Sequence, residues 1–502
     1  MRKHWRIRPH DAAGTAALAR AANVSPVVAQ LLLGRGFSDP VSIRAFLDAK
    51  LSTLRDPETL PGAAAAAERL HAAIRDKRRI VVYGDYDVDG MTGTSLLYLG
   101  LRLLGGDVGY YVPHRLEEGY GLNSDALRKL AKQGASLIVT VDCGITAIEE
   151  AKVARELGLE LIITDHHQPL PELPDAAEIV HPGLPDRPYP FAGLSGSGVA
   201  LKLAWAICKQ ASGAKRVGEA MKDYLLQAVA FASLGTVADV VPLVDENRVL
   251  VKHGLKSLKD RPTVGLLELM KAAEIHEKAA LDCEDIGFAI APRLNAAGRF
   301  GQASLAVELL TTDNATRAAE VAQYLDELNQ SRQTVERSIY LSALRQAEEK
   351  FDPENDPALV LADRGWNQGV VGIVAGRLAE KFNRPVVLIA QDAFGLKPGT
   401  GSARSASGVD LHAALNACKH HLVGCGGHAA AAGLTIEDAK LDAFRAEFLE
   451  RVAEAAAGAP REATLWIDAE APLPSFTLRT LQELDQLSPF GCGHTRPLWC
   501  AS

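Results

Sequence analysis

The chain alternates short, unbroken apolar runs with longer stretches of helical character. Ile80-Val81-Val82-Tyr83, Leu137-Ile138-Val139-Thr140-Val141 and Leu161-Ile162-Ile163 are too short for helices and read as buried strands. Helices are predicted between and after them, among them Ala147 to Leu157 and Val199 to Gln210. From residue 80 to about 300 this repeats as the βαβ pattern of a largely parallel sheet.

The pattern divides the chain into five stretches. Residues 1–60 read as short lead-in helices punctuated by Gly34, Gly36 and Pro40. Residues 61–302 are the parallel α/β domain. It opens on a helix from Ala63 whose basic end, Arg75, Lys77, Arg78 and Arg79, reads as solvated. Residues 303–351 hold one long connecting helix, because Asn314 to Lys350 contains neither Gly nor Pro. Its thirty-odd residues span roughly 50 Å. Residues 352–460 form a second α/β unit, with strands at Ala358–Leu361 and Pro385–Ile389 and a helix-like stretch from Gly369 to Leu378. Gly424 to His428 reads as a flexible loop that enters a helix through the following alanines. Residues 461–502 complete the chain.

Composition narrows the class. At 502 residues, two or three domains are expected. A net charge of −8 argues against a uniformly basic DNA-coating protein, yet leaves room for an acidic metal site beside a local arginine-lined groove. The seven cysteines include no CxxC pair and read as reduced thiols. With no apolar signal core and no run of 18 uncharged apolar residues, a soluble, cytoplasmic protein without membrane contact is predicted.

The chemistry gathers at strand ends. After Tyr83 come Gly84-Asp85-Tyr86-Asp87-Val88-Asp89-Gly90, whose three alternate aspartates share one face if the backbone stays extended. Carboxylates so placed raise one another's pKa unless a cation sits between them. A calcium loop would need a closing Glu, and Thr92 to Leu99 is small, apolar and helix-like instead. Val141 leads to Asp142-Cys143-Gly144, where Asp142 is either a ligand or a helix cap and Cys143 is packing. Ile163 leads to Thr164-Asp165-His166-His167, a carboxylate and two imidazoles before a turn enforced by Pro169 and Pro171. Asp239 interrupts the apolar run Ala228 to Val244, so it needs a cation, hydrogen bonds or an exit to the surface. The glycine-rich helix start Gly193 to Gly198 is either an anion nest or a close-packed turn. Asp87, Asp89, Asp142, His166 and Asp239 make an oxygen-rich set that suits Mn²⁺ or Mg²⁺ better than structural zinc. Two such ions about 3.5–4 Å apart are the arrangement for in-line attack on phosphorus, which points to phosphoester hydrolysis.

The ordered segments GDYDVDG, VTVDCGI, TDHH and SLGTVADVVPL resemble the four motifs of the DHH phosphoesterase superfamily. APRLNAAGR (291–299), LDELN (325–329), GSARS (401–405) and the small-residue run 426–433 are similar, within it, to RecJ-type single-strand-specific exonucleases, over roughly residues 25–498. The resemblance implies that Asp87, Asp89, Asp142, His166 and Asp239 hold two Mn²⁺ or Mg²⁺ ions. Asp142 would bridge them and Asp85 would be a further ligand. His167 would orient the site or touch the scissile phosphate, backed by Asp165. Arg293, Asn295 and Arg299 would grip DNA on the metal side, and Ser402, Arg404, Ser405, Gly426, Gly427 and His428 in the second domain, with the long helix holding the two domains across a groove. The implied activity is 5′→3′ degradation of single-stranded DNA to 5′-mononucleotides in repair and recombination, with a single-strand-binding protein and a helicase as protein partners. Asn367 stands where relatives usually carry His, and His494 where Asn is common. Thr464 to Trp499 reads as the opening of an oligonucleotide-binding (OB) barrel that needs about five strands to close, so a weakened grip on long strands is expected. Two other readings stay open: a DHH phosphoesterase for short oligonucleotides or dinucleotides, and a noncatalytic nucleic-acid scaffold.

Overall fold

A computed structural model describes residues 4–115, 117–213, 217–352, 355–456 and 464–501. Strand β1 (His4–Ile7) precedes helices α1 (Ala12–Ala22), α2 (Pro26–Gly34), α3 (Pro40–Asp48) and α4 (Ala63–Arg75). The first α/β stretch runs β2 (Ile80–Tyr83), α5 (Val88–Leu103), β3 (Val108–Tyr111), α6 (Ser124–Lys132), β4 (Leu137–Thr140), α7 (Ile148–Glu156), β5 (Glu160–Thr164) and β6 (Glu178–Val180). Helices α8 (Gly196–Ser212), α9 (Glu219–Ala238), α10 (Asp245–Asp260), α11 (Val264–Ala272), α12 (Ala291–Arg299), α13 (Ala303–Thr311) and α14 (Ala315–Lys350) follow. The second α/β stretch holds β7 (Leu359–Asp363), α15 (Val371–Phe382), β8 (Val386–Ala390), β9 (Gly399–Arg404), α16 (Leu411–Ala417), β10 (Gly424–Gly427), β11 (Ala431–Ile436) and α17 (Leu441–Ala455). Last come β12 (Thr464–Ile467), β13 (Ala469–Ala471), α18 (Leu478–Asp485) and β14 (Trp499–Ala501).

Two compact units result, each assembled from two separated chain segments. The larger comprises Pro9–Asn329 and Asp468–Ser502, the smaller Met1–Arg8 and Gln330–Ile467. Helix α14 starts in the larger unit and ends in the smaller, a single helix of 36 residues as its lack of Gly and Pro predicts.

The larger unit is organised by an all-parallel sheet in the order β3-β2-β4-β5-β6. Its strands are continuous apolar runs because both faces are covered. Ile80, Val82, Leu137 and Val139 enter the core that also holds Leu70 of α4, Leu97 of α5 and Leu203 of α8. Val81, Tyr83, Ile138 and Ile163 enter the opposite core with Leu127 of α6 and Ala151 of α7. Between β2 and β4 the order of the sheet reverses direction, and such a switch point opens a crevice at the carboxyl ends of the strands.

The same unit buries Arg248 of α10 with no carboxylate partner among the described residues. Its guanidinium lies 3.8 Å from the centroid of the Phe46 ring and donates to the carbonyls of Phe46, Gln486, Leu487, Ser488 and Pro489. One side chain thereby fixes residues 486–489 to the unit.

In the smaller unit the sheet order is β10-β11-β9-β8-β7, parallel only between β7 and β8. Residues 424–428 and the alanines after them were expected as a loop entering a helix; they form the β10–β11 hairpin instead. Ala431 to Ile436 pairs with β9 at six positions and buries Ala432, Leu434 and Ile436 in alternation. That pairing outweighs alanine's intrinsic helix preference. Residues 1–60 likewise contain one strand besides their helices: β1 pairs in parallel with β12, placing His4 opposite Thr464. Strands β13 and β14 form a separate parallel pair in the larger unit, so residues 464–501 contribute to two ribbons in two units. The expected boundary at 460/461 lies outside the described residues. Among the described residues no single helix is long and apolar enough to cross a membrane.

Candidate metal centre

Four of the acidic or imidazole-bearing segments meet at the switch point. The loop after β2 carries Asp85 and Asp87, the turn after β4 carries Asp142, the turn after β5 carries residues 165–167, and the end of α9 carries Asp239. The backbone does not stay extended through the first loop. It turns helical at Val88, so Asp87 caps α5 by accepting the Gly90 N–H at 3.1 Å, and Asp89 lies in the first helical turn. The three aspartates are brought together by a strand end followed by a helix start, rather than by one pleated face.

Asp89 is held by the helix that follows the glycine-rich turn. The N–H groups of Gly196 and Ser197, at the start of α8, donate to its two carboxylate oxygens at 2.6 and 3.0 Å. The anion bound at that helix start is therefore a side chain of the protein itself. Small residues let the ligands in: a Cβ on Gly196 would come within 2.7 Å of Asp142 Cγ, and one on Gly235 within 2.1 Å of Asp89 Oδ1.

Asp142 does not cap α7, whose N-cap residue Ala147 makes no side-chain cap bond. It sits at φ +64°, a left-handed conformation unusual for a residue with a Cβ. Its N–H bonds Thr164 O at 3.0 Å and its carbonyl accepts from Tyr120 Oη at 3.1 Å. Val240, directly after Asp239, also has positive φ (61°), where a helix end usually carries Gly. Two strained positions thus flank the cluster, as is common at functional sites.

The converging atoms are 3–4 Å apart. His166 Nε2 lies 3.1 Å from Asp142 Oδ1, 3.5 Å from Asp239 Oδ2 and 3.9 Å from Asp89 Oδ2. Asp85, Asp87 and Asp142 form an adjoining group, so Asp142 belongs to both sides of the cluster. Among the described residues, His166 Nε2, Asp142 Oδ1 and Asp85 Oδ1 are buried and have no hydrogen-bond partner. Buried polar atoms are rarely left so, and three aimed into one cluster fit a divalent cation that would satisfy them.

The electrostatics agree. Burial first, then neighbouring carboxylates, push Asp85, Asp87 and Asp142 above the usual carboxylate range and Asp239 up to about 8. Burial pulls His166 down, towards the neutral imidazole that can ligate. His167 behaves oppositely. Burial disfavours its charge, but Nδ1 lies 2.7 Å from Asp165 Oδ1, and this pairing raises it to about 9 and holds Asp165 near 2. Asp165 also accepts the N–H groups of Ile145, His166 and His167, so it fixes the turn rather than facing the cluster.

Two residues that sequence reasoning missed complete the surroundings. His181, buried just past β6, accepts the Gly183 N–H at Nδ1 and donates from Nε2 to His167 O at 2.8 Å. It occupies a strand end like the predicted ligands, and that signal marked it. Tyr120 has its hydroxyl 3.2 Å from His167 Nδ1 and packs edge-on to Tyr86, within a loop that carries no such signal.

Of the predicted phosphate contacts, Arg299 and Asn295 lie on α12. Its Gly298 abuts the Tyr86 carbonyl so closely that a Cβ would come within 2.1 Å, which brings the helix against the aspartate loop. Arg293 is turned to structural partners: Asp326 Oδ1 at 2.8 Å and the carbonyls of Ala289 and Ala272. In the smaller unit, Ser402 and Arg404 share one face of β9, beside Gly372 at the start of α15. Ser405 N–H bonds Ala430 O, and Gly426 pairs with Gly433, itself opposite Ser402. Gly426, Gly427 and His428 are exposed at the hairpin tip. Asn367 closes the turn into α15 by accepting the Gly369 N–H at 2.8 Å.

Residues 79–233 match the DHH family N-terminal domain and residues 355–454 the DHHA1 domain. The single-stranded-DNA-specific exonuclease RecJ of Bacillus subtilis (strain 168) is 40% identical over 494 residues, 98% of this chain and 61% of its own length. The RecJ of Dickeya dadantii (strain 3937) is 39% identical, with 90% and 80% covered. That of Escherichia coli (strain K12) is 36% identical, with 99% and 87% covered. The crystal structure of RecJ from Thermus thermophilus in complex with Mn²⁺ superimposes with a TM-score of 0.84 at 34% identity, covering all of this chain and 70% of that one.

Proposed function

We propose, from the premise that this chain belongs to the RecJ family of DHH-domain proteins, that it is a metal-dependent exonuclease degrading single-stranded DNA from the 5′ end to 5′-mononucleotides, in repair and recombination. The observation that carries the reading is the trio of buried atoms on Asp85, Asp142 and His166, unpartnered among the described residues, which converge among carboxylates driven up first by burial and then by one another's charge.

In this reading Asp85, Asp87, Asp89, Asp142, His166 and Asp239 would hold two divalent cations, Mn²⁺ or Mg²⁺, and Asp142, a member of the groups on both sides of the cluster, would serve both. Bound there, the cations supply Lewis acidity and charge neutralisation at the phosphoryl group. The protein supplies the rest. Gly196 and Ser197 fix the rotation of Asp89 through two backbone N–H groups. His167, kept protonated by Asp165, presents a cationic donor to a phosphate oxygen, and His181 and Tyr120 set the position of that imidazole. Asn295 and Arg299 on the metal side, and Ser402, Arg404, Ser405, Gly426, Gly427 and His428 in the smaller unit, bind the DNA backbone, whose phosphates give affinity without sequence preference. Arg293 holds α12 in place through Asp326. A single-strand-binding protein and a helicase are the protein partners.

The test is Mn²⁺-dependent digestion of 5′-phosphorylated single-stranded DNA labelled at the 3′ end. Products shortening from the 5′ end, absent on duplex DNA and with Asp142→Ala, are expected. Hydrolysis of a dinucleotide without attack on long strands would replace the proposal with a short-substrate phosphoesterase. Function retained in Asp142→Ala would replace it with a scaffold.

A further inference from the structure

We propose that His420, His421 and Glu447 form a second cation site, for a late first-row divalent ion such as zinc, in the smaller unit. No residue of it belongs to the aspartate cluster, and the inference does not depend on the exonuclease reading.

The 3₁₀ turn Lys419–His421 faces α17. His420 Nε2 and His421 Nε2 lie 3.0 and 2.9 Å from the same atom, Oε2 of Glu447, and the two imidazole centroids are 4.1 Å apart. All three ligand atoms fall within 4.8 Å of one another. Ligands placed tetrahedrally around an ion with bonds of about 2.0–2.1 Å stand about 3.3 Å apart. The two nitrogen–oxygen separations, one of them the His421–Glu447 hydrogen bond, fall a few tenths of an ångström inside such an edge, so a small opening of the cluster admits an ion. The carboxylate is held for the purpose: Oε1 takes the Arg451 guanidinium at 3.2 Å, leaving Oε2 to the histidines. His421 is largely buried, whereas the His420 side chain is 61% exposed, so water can fill the remaining positions. Two imidazoles with a single carboxylate select zinc, nickel or copper over Mg²⁺ or Ca²⁺.

The site's position gives it a role. The turn runs through Leu422 and Val423 directly into β10, and Val423 N–H bonds Thr435 O on β11 at 2.8 Å. An ion there ties the base of the hairpin bearing Gly426, Gly427 and His428 to α17, and stiffens it.

The experiment uses the full chain carrying Asp142→Ala and His166→Ala, which disable the aspartate cluster, and Zn²⁺ alone as the probe. Zinc content after dialysis, isothermal titration and thermal melting are read in that parent and after adding His420→Ala or Glu447→Gln. One Zn²⁺ per chain in the parent is expected, with affinity lowered more than about tenfold by either substitution and the zinc-dependent rise in melting temperature lost. Because His420 is exposed, its replacement keeps the fold intact and makes the comparison decisive. Equal zinc binding with and without these side chains, or no zinc in the parent, would reduce the cluster to hydrogen bonds and overturn the proposal.

Discussion

Replacing Gly196 by alanine would push a methyl group into the cluster from the helix that supports it. A Cβ at this position would stand 2.5 Å from Asp142 Oδ1, 2.6 Å from its Cβ and 2.7 Å from its Cγ. Ordinary contact begins at 3.4 Å, so relieving the 2.5 Å overlap with Oδ1 requires Asp142 or the start of α8 to move by about 0.9 Å. Asp142 is pinned by Thr164 and Tyr120, and the Gly196 N–H is itself bonded to Asp89, so either movement displaces a proposed ligand. Misplacement of this size at reacting groups costs about 50- to 100-fold in rate, or about 2–3 kcal/mol. The fold should survive, since overpacking costs about 1–3 kcal/mol and exchanging Gly for Ala in a helix returns up to about 1. The assay pairs Mn²⁺ titration and single-stranded-DNA digestion of Gly196→Ala with Gly198→Ala, two residues along the same helix. There a Cβ meets only Leu194 and Ser195, at 3.5 Å, and near-native activity is expected. Equal activity of the two variants, or native Mn²⁺ affinity in Gly196→Ala, would refute the reasoning.

Three further outcomes are expected. In the cation-free cluster Asp239 titrates at about 8, so below that pH a bound proton must leave before a cation enters. Mn²⁺ affinity therefore falls as pH drops through 8, and calorimetry in buffers of different ionisation enthalpy should show proton release, reduced in Asp239→Asn; no release would contradict this. His494, neutral between an Arg35 donor and the Leu487 carbonyl, is lowered to about 4 by burial and the nearby Arg35 charge. The unfolded chain then binds more protons than the folded one between pH 6.5 and 4, so stability is lost as pH falls through that window. The loss is at most about 3 kcal/mol, and urea melts of His494→Gln should show a flatter pH profile. Arg293→Ala should lower the melting temperature and leave the salt dependence of DNA binding unchanged, whereas Arg404→Ala should reduce its slope by about 1; an equal loss of slope in both would return Arg293 to the DNA contacts.

The parallel sheet and the places where the clustered carboxylates and imidazoles emerge were legible because strands buried on both faces leave continuous apolar runs, and Asp85, Asp142 and His166 stand where such runs stop. How the aspartates converge was not, since the step from extended to helical backbone at Val88 leaves no mark in an Asp-x-Asp-x-Asp spacing. The glycine-rich turn at 193–198 signalled an anion, but nothing local told that the anion was Asp89, more than a hundred residues earlier. Alanine's helix preference misread residues 431 and 432, whose state is set by their partners Arg404 and Ala403 on β9. Pairing of β1 with β12 joins the two ends of the chain's written order, and no window of sequence contains both.

That pairing carries a practical consequence for dissection. Because each unit is closed by a segment from the far side of the other, neither corresponds to a contiguous stretch of gene. A fragment cut at the end of α14 keeps β12 but forfeits β1, and one ending at Asn329 forfeits the carbonyls of 486–489 and strands a buried guanidinium at Arg248. To stand alone, the smaller unit must be circularly permuted, with residues 1–8 spliced beyond 467, so that the strand the ribosome makes first is the one supplied last.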